Sequence, residues 1–217
     1  MYLRQVVLSH MKKALILDLD NTIYPVSSIQ GNLFGEIFSL IDVADHLTEQ
    51  IKLDAKDELT RRPYHLVADK YNFGDALKDK GNNLLKEITY DLPMQPFDDY
   101  AQIRSSALLK ILVTTGFKKL QWSKVKMLGI EQDFAEIHIV DPELSNKTKK
   151  DVFADILKRH DLTAGEVLVI GDDPESEIKA ATELGIETFL YDPENKHPEA
   201  SVTFKSFSLN EVLHVLY

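Results

Sequence analysis

The chain has 217 residues, no cysteine, and 25 Lys and Arg against 35 Asp and Glu, for a formal net charge of −10. These numbers exclude disulfide scaffolds and thiolate metal sites, and with no polybasic run they argue against a nucleic acid polymer as partner. No apolar stretch approaches the roughly 18 residues of a membrane span, so a soluble protein without a membrane partner is expected.

Met1 to His10 has too short an apolar region for a signal peptide, which implies a cytoplasmic location. Its Leu3, Val6 and Val7 suit a helical turn or docking arm, or a start-site extension, ahead of a first strand at Ala14 to Leu17. The next comparable strand, Ile111 to Thr114, comes roughly ninety residues later, too far for a crossover loop. Inside that gap Leu33, Phe34, Ile37, Phe38 and Ile41 form one helical stripe. Leu77, Gly81, Leu84, Leu85 and Ile88 form another, with Asp75 as candidate N-cap. A small helical domain at 26–97 is therefore expected, returning through the stiff Pro93 and Pro96 segment, with 1–25 and 98–217 forming the main domain. Strands follow at Glu136 to Val140, Val167 to Ile170 and Glu187 to Tyr191, and a weaker one near Val202 to Phe207. Between them lie helical stripes at Val152, Phe153, Ile156, Leu157, His160 and at Ile178, Ala181, Leu184. Alternating β and α segments, with strands apolar throughout, predict a doubly wound parallel α/β sheet.

Chemistry gathers at the carboxyl ends of these strands, where open α/β sheets bind ligands. Asp18 and Asp20 follow the first strand two residues apart, so their carboxylates can share one side. Such a pair needs a shared proton or a cation, Mg²⁺ being the natural hard ion. Thr114, Thr115 and Gly116 end the second strand, with a hydroxyl and backbone N–H groups to receive a phosphoryl oxygen, although Thr and Gly there also suit a plain turn. Lys147 precedes a helix, where a cation is unfavourable unless an anion is near. Its neighbours Lys149 and Lys150 leave the assignment open. Past the fourth strand, Asp172, Asp173, Glu175 and Glu177 crowd four carboxylates into six positions, a poor arrangement without a metal.

Taken in order, Asp18-Leu-Asp20-Asn-Thr22, Thr114-Thr-Gly116, Lys147 and Gly171-Asp172-Asp173 with Glu177 resemble the four motifs of the haloacid dehalogenase superfamily, in its phosphatase branch. The resemblance covers nearly the whole chain from Lys12 and includes a helical cap inserted between the first two motifs. It implies a strand order of 5-4-1-2-3. It further implies that Asp18 is the nucleophile that becomes an aspartyl phosphate, and that Asp20 is general acid, then base. Thr114, Thr115 and Gly116 would bind the phosphoryl group, and Lys147 would neutralise charge. Mg²⁺ would be held by Asp18, Asp172 and the backbone carbonyl of Asp20. Asp20 is absent from the namesake dehalogenases, which favours phosphate chemistry. Glu177, Thr115 and Thr148 depart from the common Asp, Asn and Pro, and Glu177 and Asp173 are expected behind the metal ligands rather than among them. Tyr-Pro after the first motif is similar to pyrimidine nucleotidase-like members.

Specificity would come from the insertion closing over the site, with Tyr24, Arg61, Arg62, Tyr64, His65 and Tyr71 as candidate contacts. The expected activity is Mg²⁺-dependent hydrolysis of a small phosphorylated metabolite, a nucleotide or sugar phosphate. The alternatives are a phosphomutase using the same aspartates and a non-catalytic binding protein on the same fold.

Overall fold

The computed structural model describes residues 11–216. The expectations for Met1 to His10 lie outside them. Six strands form one parallel sheet: β1 (Ala14–Leu17), β2 (Leu109–Thr115), β3 (Glu136–Val140), β4 (Val167–Gly171), β5 (Glu187–Tyr191) and β6 (Phe204–Ser206). Their order is β3-β2-β1-β4-β5-β6, which contains the expected 5-4-1-2-3 with the weak sixth strand added at one edge.

Side chains alternate across a strand, so β1 feeds both faces of the sheet. Leu15 and Leu17 join the larger apolar cluster with Leu112, Leu168, Ile170 and Phe189, while Ala14 and Ile16 face Ile111, Val113, Val167 and Val169 on the other side. Every β1 residue is buried, so each Leu or Ile contributes about 1.5–3 kcal/mol by leaving water. The smaller cluster is completed by Val152, Phe153 and Ile156 from α8 (Lys149–Arg159) and by Ala180 and Ala181 from α9 (Lys179–Thr182). The larger is completed by α6 (Tyr100–Ser105), α7 (Lys118–Leu128) and the C-terminal turn Leu209–Val215.

Between β1 and α6 the chain forms five helices: α1 (Gln30–Leu33), α2 (Gly35–Asp42), α3 (Glu49–Glu58), α4 (Tyr64–Lys70) and α5 (Gly74–Glu87). The stripe from Leu33 to Ile41 is not one helix. It breaks at Phe34 (φ −100°, ψ 3°), just before Gly35, a poor residue for a helix interior. Asp75 does not cap α5 either; it lies in the first turn, where its charge suits the helix dipole. Gly81 is required where α5 meets α4, since a Cβ there would lie 2.1 Å from the Tyr64 ring. Helices α3 and α4 were not expected from the sequence. Among the described residues no helix is long and apolar enough to cross a membrane.

Parallel register aligns the strand ends. Leu17 pairs with Leu112 on one side and with Ile170 on the other, so Asp18 leaves β1 between the ends of β2 and β4. The chain winds outward from β1 in one direction through β2 and β3, and from β4 in the other through β5 and β6. The crevice between β1 and β4 is thus the switch point of the sheet.

Candidate active site

At that crevice Asp18 is nearly buried, and its amide donates to the Ile170 carbonyl at 3.0 Å. Its Oδ1 accepts from Lys149 Nζ at 2.7 Å, and the same ammonium donates to Glu177 Oε2 at 2.7 Å. The other Glu177 oxygen accepts from the Asp173 amide at 2.8 Å, so both oxygens of Glu177 are occupied by protein donors. Glu177 reaches this position because Gly171 has no side chain: a Cβ there would lie 2.1 Å from Glu177 Oε1. The turn Pro174–Ile178 is broken at Ser176 (φ −107°, ψ −105°), immediately before Glu177.

The lysine paired with Asp18 is therefore Lys149, not the expected Lys147. Lys147 is exposed and donates to Asp155 at 2.8 Å. Helix capping accounts for the difference. Thr148 is the N-cap of α8, its side chain accepting from the Asp151 amide while Asp151 accepts from the Thr148 amide. Lys149 is thus the first helical residue and turns inward, whereas Lys147 falls outside the helix. The Thr148-x-x-Asp151 pattern was present in the sequence and could have fixed the helix start.

Asp20 faces a second lysine. Lys124 Nζ lies 2.8 and 3.1 Å from its two oxygens, Gln121 Nε2 donates to Oδ2 at 2.9 Å, and the buried Tyr24 hydroxyl donates to Oδ1. Gln121 and Lys124 were missed because charged and amide residues read as solvated. The signal was their angular position on α7. At about 100° per residue they fall within the same arc of roughly 140° as buried Leu120, Val125 and Leu128.

Buried Thr114 at the end of β2 accepts from Gln121 Nε2 at 2.8 Å through its hydroxyl. Gly116 departs from expectation: its N–H donates to the Val140 carbonyl at 3.1 Å and is not free for a phosphoryl oxygen. Thr115 and Gly116 nevertheless line the same cavity as Thr114.

Electrostatics separate the two aspartates. Burial raises the Asp18 carboxyl to about 7; Lys149 opposes this, and Glu177 and Asp20 reinforce it. Burial acts the same way on Asp20, yet Lys124, Tyr24 and Gln121 outweigh it and hold that carboxyl below its usual range. Burial, then Glu177 and Asp18, push Asp172 well above the usual carboxylate range, and among the described residues its one side-chain hydrogen bond comes from Thr22 at 3.4 Å. Lys149 is kept protonated by Asp18 and Glu177 against its own desolvation.

For a metal, Asp18 and Asp172 offer hard oxygens at adjacent strand ends with an excess of negative charge. The Asp20 carboxylate does not join them, being held by Lys124 and Gln121, so from that residue only the backbone carbonyl fits the expected set. Among the described residues no three acidic or histidine side chains form a ready cluster. Two carboxylates with one carbonyl suit Mg²⁺, which keeps several waters.

A cavity of about 830 Å³ opens above these groups, lined by Asp18, Asp20, Thr114, Lys149 and Asp172 and, from the insertion, by Arg61, Arg62, Tyr64 and His65. Arg62 spans the two, 3.6 Å from Glu58 and 3.7 Å from Asp173. The Asn21 amide donates to the Thr60 carbonyl at 3.1 Å. Tyr64 bonds the Leu77 carbonyl and Tyr71 bonds Glu58, so both hydroxyls serve the insertion's own packing.

A family model of haloacid dehalogenase-like hydrolases matches residues 12–185, spanning all of these groups. The chain belongs to the haloacid dehalogenase-like hydrolases. Within this family it is similar to the HAD-hydrolase YfnB of Bacillus subtilis, 25% identical over 167 residues that cover 74% of this chain and 70% of YfnB. The solved structure of YfnB, bound to magnesium, superimposes with a TM-score of 0.67 at 21% identity, covering 95% of this chain and 99% of that one. Phosphatases are among the haloacid dehalogenase-like relatives. A glyceraldehyde 3-phosphate phosphatase of Methanopyrus kandleri is 23% identical over 193 residues, 82% of this chain and 83% of that protein. A ribulose-1,5-bisphosphate 5-phosphatase of Halopiger xanaduensis is 32% identical over 85 residues, 38% of this chain and 35% of that protein.

Proposed function

We propose that the chain is a Mg²⁺-dependent phosphomonoester hydrolase acting on a small phosphorylated metabolite in the cytoplasm through an aspartyl-phosphate intermediate. The observation that carries this reading is Asp18 at the floor of a cavity, paired with buried Lys149 and two residues from a separately held Asp20. The phosphatase relatives act on sugar phosphates by name, which favours that class over nucleotides.

Asp18 supplies the nucleophilic oxygen that attacks phosphorus, and Lys149 stabilises the charge gathering between nucleophile and phosphoryl group. Glu177 fixes the ammonium, and the Thr114 hydroxyl donates to a phosphoryl oxygen. Asp20 protonates the leaving alcohol, then takes a proton from the water that hydrolyses the aspartyl phosphate. The resting site holds Asp20 ionised, so the substrate's own proton, from a phosphate ionisation near pH 6, passes through Asp20 to the leaving oxygen only as the P–O bond breaks and that oxygen becomes the stronger base. Asp18, Asp172 and the carbonyl of Asp20 are the atoms suited to hold Mg²⁺, which offsets the repulsion between anionic nucleophile and anionic substrate. Residues 26–97 act as a cap whose Arg61, Arg62 and His65 face the substrate.

The test is phosphate release from a panel of sugar phosphates, nucleotides and p-nitrophenyl phosphate, with Mg²⁺ or with EDTA. Wild type is compared with Asp18→Asn. Mg²⁺-dependent release that disappears in the variant is the expected result. Absence of release from every substrate, or release unaffected by Asp18→Asn, overturns the reading.

A further inference from the structure

Helix α7 brings a buried ammonium to the site that the reaction above leaves without a role. Lys124 is 4% exposed, and Asp20 is its one ion-pair partner among the described residues. The Tyr24 ring also lies beside it, with the centroid 6.0 Å away. Burying an ammonium for a single carboxylate returns little stability, and an apolar side chain of the same length would fill the space at lower cost. Packing therefore does not account for a lysine here.

Three residues earlier on the same helix face, Gln121 makes two short contacts and a longer one of 3.4 Å to the Thr115 carbonyl. Its Nε2 donates to Asp20 Oδ2 at 2.9 Å and to Thr114 Oγ1 at 2.8 Å. A carboxylate only accepts, so contact with Asp20 fixes the amide with nitrogen inward. The Thr114 hydroxyl then accepts from Gln121 and has its own proton left to donate into the cavity. With Tyr24 on Oδ1, both oxygens of Asp20 are restrained by side chains that form no hydrogen bond to Asp18. The two aspartates are thus held by separate lysines from separate helices, Asp18 by α8 and Asp20 by α7.

We propose that Lys124 and Gln121 are positioning residues. Together they pin the Asp20 carboxyl apart from the nucleophile, and Gln121 sets Thr114 as a phosphoryl donor. This rests on the phosphatase reading, and the two fail separately in the experiment.

Phosphate release is measured for wild type, Lys124→Met, Asp20→Asn and the double variant, with melting curves for each. The substrates are p-nitrophenyl phosphate, whose leaving group needs little protonation, and whichever of glyceraldehyde 3-phosphate, glycerol 3-phosphate and ribose 5-phosphate the wild type hydrolyses fastest. Lys124→Met is expected to lower kcat on the alkyl phosphate about 10²-fold with KM within about threefold, and to slow p-nitrophenyl phosphate by less than about fivefold. The double variant is expected to match Asp20→Asn within about twofold, because Lys124 acts only through Asp20. Losses that multiply in the double variant, or fall equally on both substrates, overturn the positioning role. An inactive wild type overturns the phosphatase reading before any variant is compared. Should Lys124→Met fail to fold, Lys124→Gln is read through the same cycle with the same criteria; Gln121→Met, which also releases Thr114, is expected to slow both substrates.

Discussion

At the amino edge of the sheet each charge meets its opposite, whereas at the carboxyl edge carboxylates outnumber cations around an open cavity. Lys12 beneath β1 pairs with Glu187 at 2.6 Å, but Glu187 is 43% exposed. Glu136 opens β3 in contact with Arg159, His160 and His138 at 2.6, 2.7 and 2.6 Å, all partly exposed. At the opposite edge Asp18, Asp20, Asp172, Asp173 and Glu177 share two buried cations, Lys149 and Lys124, with Arg62 at the rim. One end is balanced and screened, so its pairs contribute little. The other gathers uncompensated charge around the cavity, a condition that a bound cation or a retained proton corrects.

Substitutions at the charged end should break this contrast first. Asp18→Asn is expected to lower turnover by roughly 10⁴-fold or more while the protein stays folded, checked by steady-state kinetics and circular dichroism. Lys149→Met leaves Asp18 and Glu177 uncompensated and should cost about 3–5 kcal/mol in urea denaturation, whereas Lys147→Met should change stability by less than about 0.5 kcal/mol. Similar costs for the two lysines would erase the distinction between their sites.

A pH experiment sharpens the same point. Asp18 is raised to about 7 in the fold, against about 3.9 when unfolded, so the folded form holds its proton more tightly. Its contribution is fully present below about pH 4 and is lost as pH rises toward about 7. In EDTA, the Tm advantage of Asp18→Asn over wild type should therefore grow from pH 5 to pH 7.5, and Mg²⁺ should reduce it. A difference independent of pH would show that the carboxyl is not starved of neutralising charge. The smallest effect belongs to the amino edge. Glu136, held at about 2 mainly by Arg159, contributes stability above about pH 4.5 that is lost toward pH 2. Glu136→Gln should cost less than about 1 kcal/mol at pH 7 in the same denaturation assay, and nothing measurable below pH 2.

Legibility in the sequence divides along the same line. Strands β1, β2, β4 and β5 were legible because burial on both faces leaves an unbroken apolar run, and Asp18, Asp20 and Thr114 because a strand end fixes where the next residues go. Helix α3 was not, since its residues are largely polar and its buried side includes Lys52 and Glu58. Lys149 was obscured by two neighbouring lysines until the Thr148 cap set the rotation of α8. Gln121 and Lys124 were hidden for the opposite reason: residue type suggested the surface while position within the apolar arc of α7 placed them inside. Motifs on strand ends read directly, and those on helices depend on a register that one capping residue decides.

Gly171 has a consequence of another kind. The space where its side chain would stand is filled by the Glu177 carboxylate. A single methyl group added there carries no charge, touches no substrate and leaves β4 free to form, yet it evicts the acid that shares Lys149 with Asp18. The ammonium would then be left to Asp18 alone, held more tightly by that one carboxylate. A balance of three buried charges is thus guarded by a hydrogen atom, and so small an exchange as Gly to Ala is poorly tolerated at this position.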